Sequence, residues 1–155
     1  MTLAVHFSSG NHDWETPVAL FLDLDKRWHF TLDVCATPAN AKCKRYFTRA
    51  DDGLAQPWRG VCWMNPPYGR QISGWLAKAA RESFAGNATV VALVPSRTDT
   101  AWWHDWVAPY GEVEFLRGRI RFVGAPHPAP FPSAIVVFRA ADADGSSNRS
   151  NNVRD

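Results

Sequence analysis

The chain has 155 residues, 46% of them hydrophobic, with 17 basic and 15 acidic side chains for a formal net charge of +2. That length suits one domain with a sizeable core and excludes a separate recognition domain of ordinary size, while the mildly basic balance permits nucleic-acid binding without demanding it. No apolar run of about 18 residues is present, which excludes a helical membrane span; Cys35, Cys43 and Cys62 form no CxxC pair or other metal spacing, and without a signal peptide they point to reduced thiols in a cytoplasmic protein.

Residues 1–13 are polar and expected to be extended. Thr16 suits an N-cap for a helix that begins at Pro17, where helices accept proline. Val18, Phe21, Leu22 and Leu24 set its apolar stripe against Asp23, Asp25, Lys26 and Arg27. A strand over residues 30–35 breaks at Thr37-Pro38, a short second strand lies around Arg45-Tyr46-Phe47-Thr48, and Asp51-Asp52-Gly53 marks a turn. Next come a strand over 61–64, the turn Asn65-Pro66-Pro67-Tyr68, a helix over 72–84 stopped by Gly86-Asn87, and a strand over 89–94 that is apolar on both faces, as central parallel strands are. Pro95 ends that strand, Thr98 or Asp99 caps a helix carrying Trp102, Trp103 and Trp106 toward the core, and Val113 to Leu116 returns as a strand.

The last elements read as a hairpin: Arg119-Ile120-Arg121-Phe122, a proline-rich loop over 125–132, and a strand over 134–138. Beyond Ala140 the composition has almost nothing to bury, so residues 1–140 are expected as a single domain and 141–155 as a disordered tail. The pattern predicts an α/β, three-layer Rossmann-like fold with a mostly parallel sheet and a terminal antiparallel strand. In such sheets ligands gather at the carboxyl ends of the strands, where Asp33, Asn65 and Pro95 fall.

Asn65-Pro66-Pro67-Tyr68 carries the chemistry. Four specified residues should recur by chance about once in a thousand chains of this length, which leaves a mere rigid turn as the weaker explanation. An Asn65 side-chain oxygen and the Pro66 carbonyl can each accept a hydrogen from a planar amine, favouring a pyramidal nitrogen whose lone pair points at an electrophilic methyl. Both prolines stiffen the bend, and Tyr68 offers a flat face for a base. Cys62 lies inside a strand, so a thiolate mechanism of carbon methylation is not expected.

The chain resembles the small phage-encoded DNA N6-adenine methyltransferases of the Dam type over residues 14 to 139. The resemblance is carried by Trp14-Glu15-Thr16-Pro17, Leu32-Asp33-Val34-Cys35-Ala36, Asn40-Ala41-Lys42, Tyr46-Phe47-Thr48, Asp51-Asp52-Gly53-Leu54, Trp58, Asn65-Pro66-Pro67-Tyr68-Gly69 and Leu116-Arg117-Gly118-Arg119. It implies S-adenosylmethionine as methyl donor, no metal, adenine in DNA as acceptor, and a Rossmann-like methyltransferase fold. By the same resemblance Thr16 and Pro17 touch the methionine end of the donor, Asp33 faces its ammonium or sulfonium, Cys35 and Ala36 are close-approach backbone positions, and Asp52 meets its adenine edge. The chain departs from larger methyltransferases in having Ala36-Thr37-Pro38 where a Gly-x-Gly would follow the first strand, and no acidic partner for the donor ribose is identified.

On the substrate side, N6 of a paired adenine is inaccessible, so base flipping or single-stranded substrate is required. Tyr68 and Phe122 are expected to stack, and Arg117, Arg119 and Arg121 to meet phosphate, with Lys42, Lys44, Arg45 and Arg49 as a second basic stretch. Amino methylation of cytosine N4, RNA adenine or a protein glutamine amide is the alternative within the same chemistry. A non-catalytic nucleic-acid-binding module is the alternative outside it. Target sequence and oligomeric state are not encoded legibly.

Overall fold

The computed structural model describes residues 14–142, so the expectations for residues 1–13 and for most of the tail lie outside the described residues. Five strands form one mixed sheet in the order β1-β2-β3-β5-β4: β1 is Leu32–Asp33, β2 Gly60–Met64, β3 Ala88–Pro95, β4 Glu112–Phe115 and β5 Ser133–Phe138. β1, β2 and β3 are mutually parallel, whereas β5 runs antiparallel to both β3 and β4. The antiparallel strand, last of those among the described residues, is therefore interior to the sheet. Its sequence explains the placement, because all six residues are buried and apolar side chains leave from both faces.

Alternation along the strands divides the core in two. Cys62, Met64, Val90, Ala92, Val94, Ala134 and Val136 face one cluster, covered by α2 (Ile72–Phe84) and by Trp103 and Val107. Trp63, Val91, Leu93, Ile135 and Val137 face the other, covered by Phe21 and Leu24 of α1 (Val18–Trp28) and by Phe122, Ala129 and Phe131 from the connection between β4 and β5.

Helix α2 keeps the expected bounds, and Gly86 follows it with φ 79°, the left-handed conformation that glycine adopts without cost. In α1 only Phe21 and Leu24 are buried, while Val18 and Leu22 are exposed, because the helix lays a narrow stripe on Phe30 and Trp63. Helical turns over 101–110 include a wide segment, Trp103–Val107, before the short α3 (Ala108–Tyr110). Pro109 has no N–H for the Asp105 carbonyl, which favours this widening. The cap is Thr100, whose hydroxyl accepts from the Trp103 amide at 3.3 Å, rather than Thr98 or Asp99. Of the three tryptophans expected in the core, Trp103 is buried, while Trp102 and Trp106 are only partly buried against it.

Three expected strands change. The strand over 30–35 shrinks to two residues, and the one around 45–48 to a single parallel bridge between Asp33 and Tyr46. The predicted hairpin does not form: β5 pairs with β3 and β4, and residues 119–122 lie in an irregular strap across the sheet face. Ile120 and Phe122 still turn inward and Arg119 and Arg121 outward, so the alternation is real, but a bond from the Ala129 amide to the Ile120 carbonyl (2.7 Å) stands where a ladder was expected.

Candidate active site

A cavity of about 770 Å³ opens at the carboxyl ends of β1 and β2, a size typical of small-molecule sites. Asn65 and Asp33 line it as the strand-end positions require; Pro95 does not.

Asn65 leaves β2 and is fixed by a segment far away in sequence. Its Nδ2 donates to the Trp14 carbonyl at 2.7 Å and to the Thr16 hydroxyl at 3.1 Å. A carbonyl can only accept, so the amide cannot be turned around. Both hydrogens are thereby used, and Oδ1, buried, has no partner among the described residues. A buried carbonyl oxygen without a donor costs about 1–3 kcal/mol. Asn65 lines the cavity and keeps this unpartnered oxygen, which is itself screened from solvent.

Pro66 is buried and Pro67 lines the cavity; among the described residues the Pro66 carbonyl accepts no hydrogen bond. Tyr68 also lines the cavity, with its hydroxyl donating to the Leu93 carbonyl at 3.3 Å and its ring packed edge-on against Phe131 (5.7 Å) and Phe122 (6.4 Å). Burial pushes its phenol well above the usual range, so it stays neutral. The ring is thus fixed by its hydroxyl bond and by two near-perpendicular aromatic neighbours.

On the β1 side, Asp33 is 2% exposed. Its Oδ1 accepts from the Cys35 amide at 3.3 Å and its Oδ2 from the Lys42 amide at 3.0 Å. Burial raises its carboxyl to about 6, against the smaller lowering effects of those amides and of the Lys42 charge. Cys35 and Ala36 line the cavity; burial pushes the Cys35 thiol up to about 12, and Cys62 likewise, so neither is a thiolate at neutral pH.

Asp51 and Asp52 divide the turn chemistry. Asp51 accepts from the Thr48 amide (2.8 Å) and hydroxyl (2.9 Å), which lowers its carboxyl below the ordinary value. Asp52 sits at the cavity with φ 54° and no side-chain partner among the described residues. Gly53 follows because a Cβ there would collide with the Val34 carbonyl. Phe47, Leu54 and Trp75 add apolar lining.

Thr16 lines the cavity, but no side-chain cap bond joins it to α1; its hydroxyl serves Asn65 instead. Pro17 precedes α1 and does not line the cavity. Phe122, expected to stack on a base, is 1% exposed and sits in the core beneath Trp14 and Tyr68. Its apolar size, rather than an accessible face, is what the fold uses. Arg117, Arg119 and Arg121 are exposed on the strap outside the cavity, with Arg121 bonded to the Ala125 carbonyl at 3.1 Å and Arg119 to that of Ala129 at 3.5 Å.

Sequence reasoning assigned no role to Trp14 or Glu15, and placed Lys42 in a basic stretch meeting phosphate. Instead Lys42 Nζ meets Glu15 Oε1 at 3.2 Å with side chains only 11% and 29% exposed, and the Glu15 carbonyl accepts from the Val123 amide at 3.0 Å. Their clustering in two of the motifs that carry the resemblance was the available signal. Among the described residues no group of three metal-ligating side chains converges, and no helix is long and apolar enough to cross a membrane.

Residues 6–140 match the family described as DNA N-6-adenine-methyltransferase (Dam). The chain is 32% identical over 114 residues to the DNA N-6-adenine-methyltransferase of Haemophilus phage HP1 (strain HP1c1), a match covering 71% of this chain and 65% of the phage protein, just under two thirds of its length. It is also 35% identical over 63 residues to YfdM of Escherichia coli (strain K12), a putative methyltransferase by name, covering 36% of this chain and 69% of that protein. The strand-end cavity, the clamped Asn65 and the family match over 6–140 together identify the chain as a member of the DNA N-6-adenine-methyltransferase (Dam) family.

Proposed function

We propose that this protein transfers the methyl group of S-adenosylmethionine directly to N6 of adenine in DNA, as a single domain over residues 1–140 with the three-layer Rossmann-like methyltransferase architecture. The observation that carries the reading is the Asn65 amide: both its hydrogens are spent on Trp14 and Thr16, leaving an unpartnered oxygen on a residue that lines the cavity.

The residues on the β1 side fit the donor. A buried carboxylate suits a cation, Asp52 is free to accept from an amino group, and Phe47, Leu54 and Trp75 can hold an aromatic ring. When bound, S-adenosylmethionine supplies a methyl group on a positively charged sulfur. The protein's part is to prepare the amine. Asn65 Oδ1 and the Pro66 carbonyl accept its two hydrogens, drawing the lone pair out of conjugation, and Tyr68 stacks on the base. Both proline φ angles are fixed, so the acceptors need no reorganisation when the base arrives. No side chain is needed as a nucleophile: the amine nitrogen would take the methyl as the carbon–sulfur bond breaks, leaving the neutral thioether of the spent donor, and the surplus N6 proton would pass to water.

The adenine must leave its pair before N6 can be reached, so flipping or a single strand is part of the reaction. The exposed Arg117, Arg119 and Arg121 lie on the strap that packs beside Tyr68 through Phe122 and Phe131, where they suit the phosphate backbone. DNA and S-adenosylmethionine as partners set the protein in the cytoplasm of a bacterial or phage-infected cell. Incubation with labelled S-adenosylmethionine and unmethylated duplex DNA, followed by mass spectrometry of the nucleosides, should yield N6-methyladenine. N4-methylcytosine, label in RNA or protein alone, or no donor uptake at all would each overturn the reading.

A further inference from the structure

Thr16 lies where a donor contact would be expected from the resemblance, yet its environment argues for another role. It is 1% exposed, it makes no capping bond to α1, and its hydroxyl oxygen is 3.1 Å from Asn65 Nδ2. The Trp14 carbonyl takes the other hydrogen of the same NH₂ group at 2.7 Å. The Trp14 carbonyl, which can only accept, sets which end of the amide is Nδ2; the Thr16 hydroxyl adds a second acceptor that narrows rotation about the last side-chain bond of asparagine, which is otherwise broad.

The segment bearing these acceptors is itself tied down on three sides. The Trp14 ring packs edge-on against Phe122 (5.1 Å) and Phe131 (5.3 Å), the rings that also support Tyr68. The Glu15 carbonyl takes the Val123 amide. The Glu15 carboxylate pairs with Lys42, whose own amide is bound to Asp33. Residues 14–16 thus join both halves of the cavity to Asn65.

We propose that Thr16 is a positioning residue for the reacting amine: its hydroxyl fixes the Asn65 amide with the oxygen available, and it contributes nothing substantial to donor binding. The proposal rests on the reading of Asn65 as the amine acceptor. A hydroxyl that merely filled space would be replaced by a methyl without kinetic effect, whereas a positioning hydroxyl acts on the chemical step.

The test compares Thr16→Val, Thr16→Ala and Thr16→Ser, with Asn65→Ala alongside, measuring single-turnover methylation of duplex DNA, donor affinity by calorimetry, and the side-chain amide resonances of Asn65 by NMR. Thr16→Val and Thr16→Ala should slow methylation about tenfold, as expected when one hydrogen bond to the acceptor group is removed, with donor affinity held within about twofold. Thr16→Ser should recover most of the rate, and the Asn65 amide signals should shift in the Val and Ala variants but not in Ser. If Val unfolds, the Ala and Ser pair carries the comparison. An unchanged rate in Val or Ala, equal losses in all three, or a loss seen as weakened donor binding would overturn the positioning role. Full activity in Asn65→Ala would instead sink the reading of Asn65 on which it rests.

Discussion

Asn65 and Trp14, 51 positions apart in sequence, meet through a 2.7 Å hydrogen bond from the Asn65 side-chain amide to the Trp14 carbonyl. That bond decides which end of the amide remains free. An aspartate at position 65 would set an acceptor against an acceptor, so Asn65→Asp should lower stability by about 1–3 kcal/mol and slow methylation, although a carboxylate can in principle accept from an amine. Urea denaturation checks the first effect and a single-turnover assay the second. An Asn65→Asp protein as stable as the parent would show that the Trp14 bond is not maintained in solution.

Asp52 separates function from stability. Its φ of 54° lies in the left-handed region, which aspartate tolerates and glycine adopts more readily, so Asp52→Gly eases the backbone while removing the free carboxylate at the cavity. The melting temperature should hold or rise, and affinity for S-adenosylmethionine should fall about tenfold, consistent with removal of a hydrogen bond to a charged group. Unchanged affinity would leave Asp52 as turn chemistry alone.

Asp33 gives a pH dependence. Burial raises its carboxyl to about 6 in the folded protein, above the ordinary carboxylate value near 3.8. The folded state therefore holds the proton that the unfolded chain has already released, and the stability linked to Asp33 declines as pH rises from about 4 to about 6, then levels. A cationic donor beside the carboxylate favours the ionised form, so donor affinity should rise about tenfold between pH 5 and 7 and flatten above. Calorimetric titrations across that range check it, and the rise should vanish in Asp33→Asn.

The strap between β4 and β5 is tested by salt. If Arg117 and Arg121 meet phosphate, alanine at each should lower the slope of log affinity for duplex DNA against log salt by about 0.9 for every phosphate no longer neutralised, with donor affinity untouched. Unaltered slopes would mean that these side chains are simply solvated.

Where local pattern and tertiary partner agreed, the sequence was a good guide. Helix α2 has a 3.6-residue apolar repeat ended by Gly86, and β3 a doubly apolar run that only a central strand can bury. Residues 119–122 show why pattern is insufficient. Ile120 and Phe122 alternate with Arg119 and Arg121 because an extended strap on an apolar face needs the same alternation as a strand. The strand expected over 30–35 failed for the complementary reason: the Asp33 amide and carbonyl bond to Arg45 and Phe47, in a segment that forms only one bridge.

The site divided in the same way. Asn65 to Tyr68 were legible because the tetrad is contiguous. The Trp14 carbonyl was not, since any residue supplies a carbonyl and only the fold determines where it points. The Glu15–Lys42 pair spans 27 positions with no periodicity to betray it.

The most direct measurement is the single-turnover rate of methyl transfer to adenine N6 in Asn65→Ala against the unsubstituted protein, with donor affinity measured in parallel. Removal of a pre-set acceptor should slow the chemical step about 100-fold or more while donor affinity changes little. A rate near that of the unsubstituted protein would contradict the role assigned to the Asn65 oxygen, whatever the family.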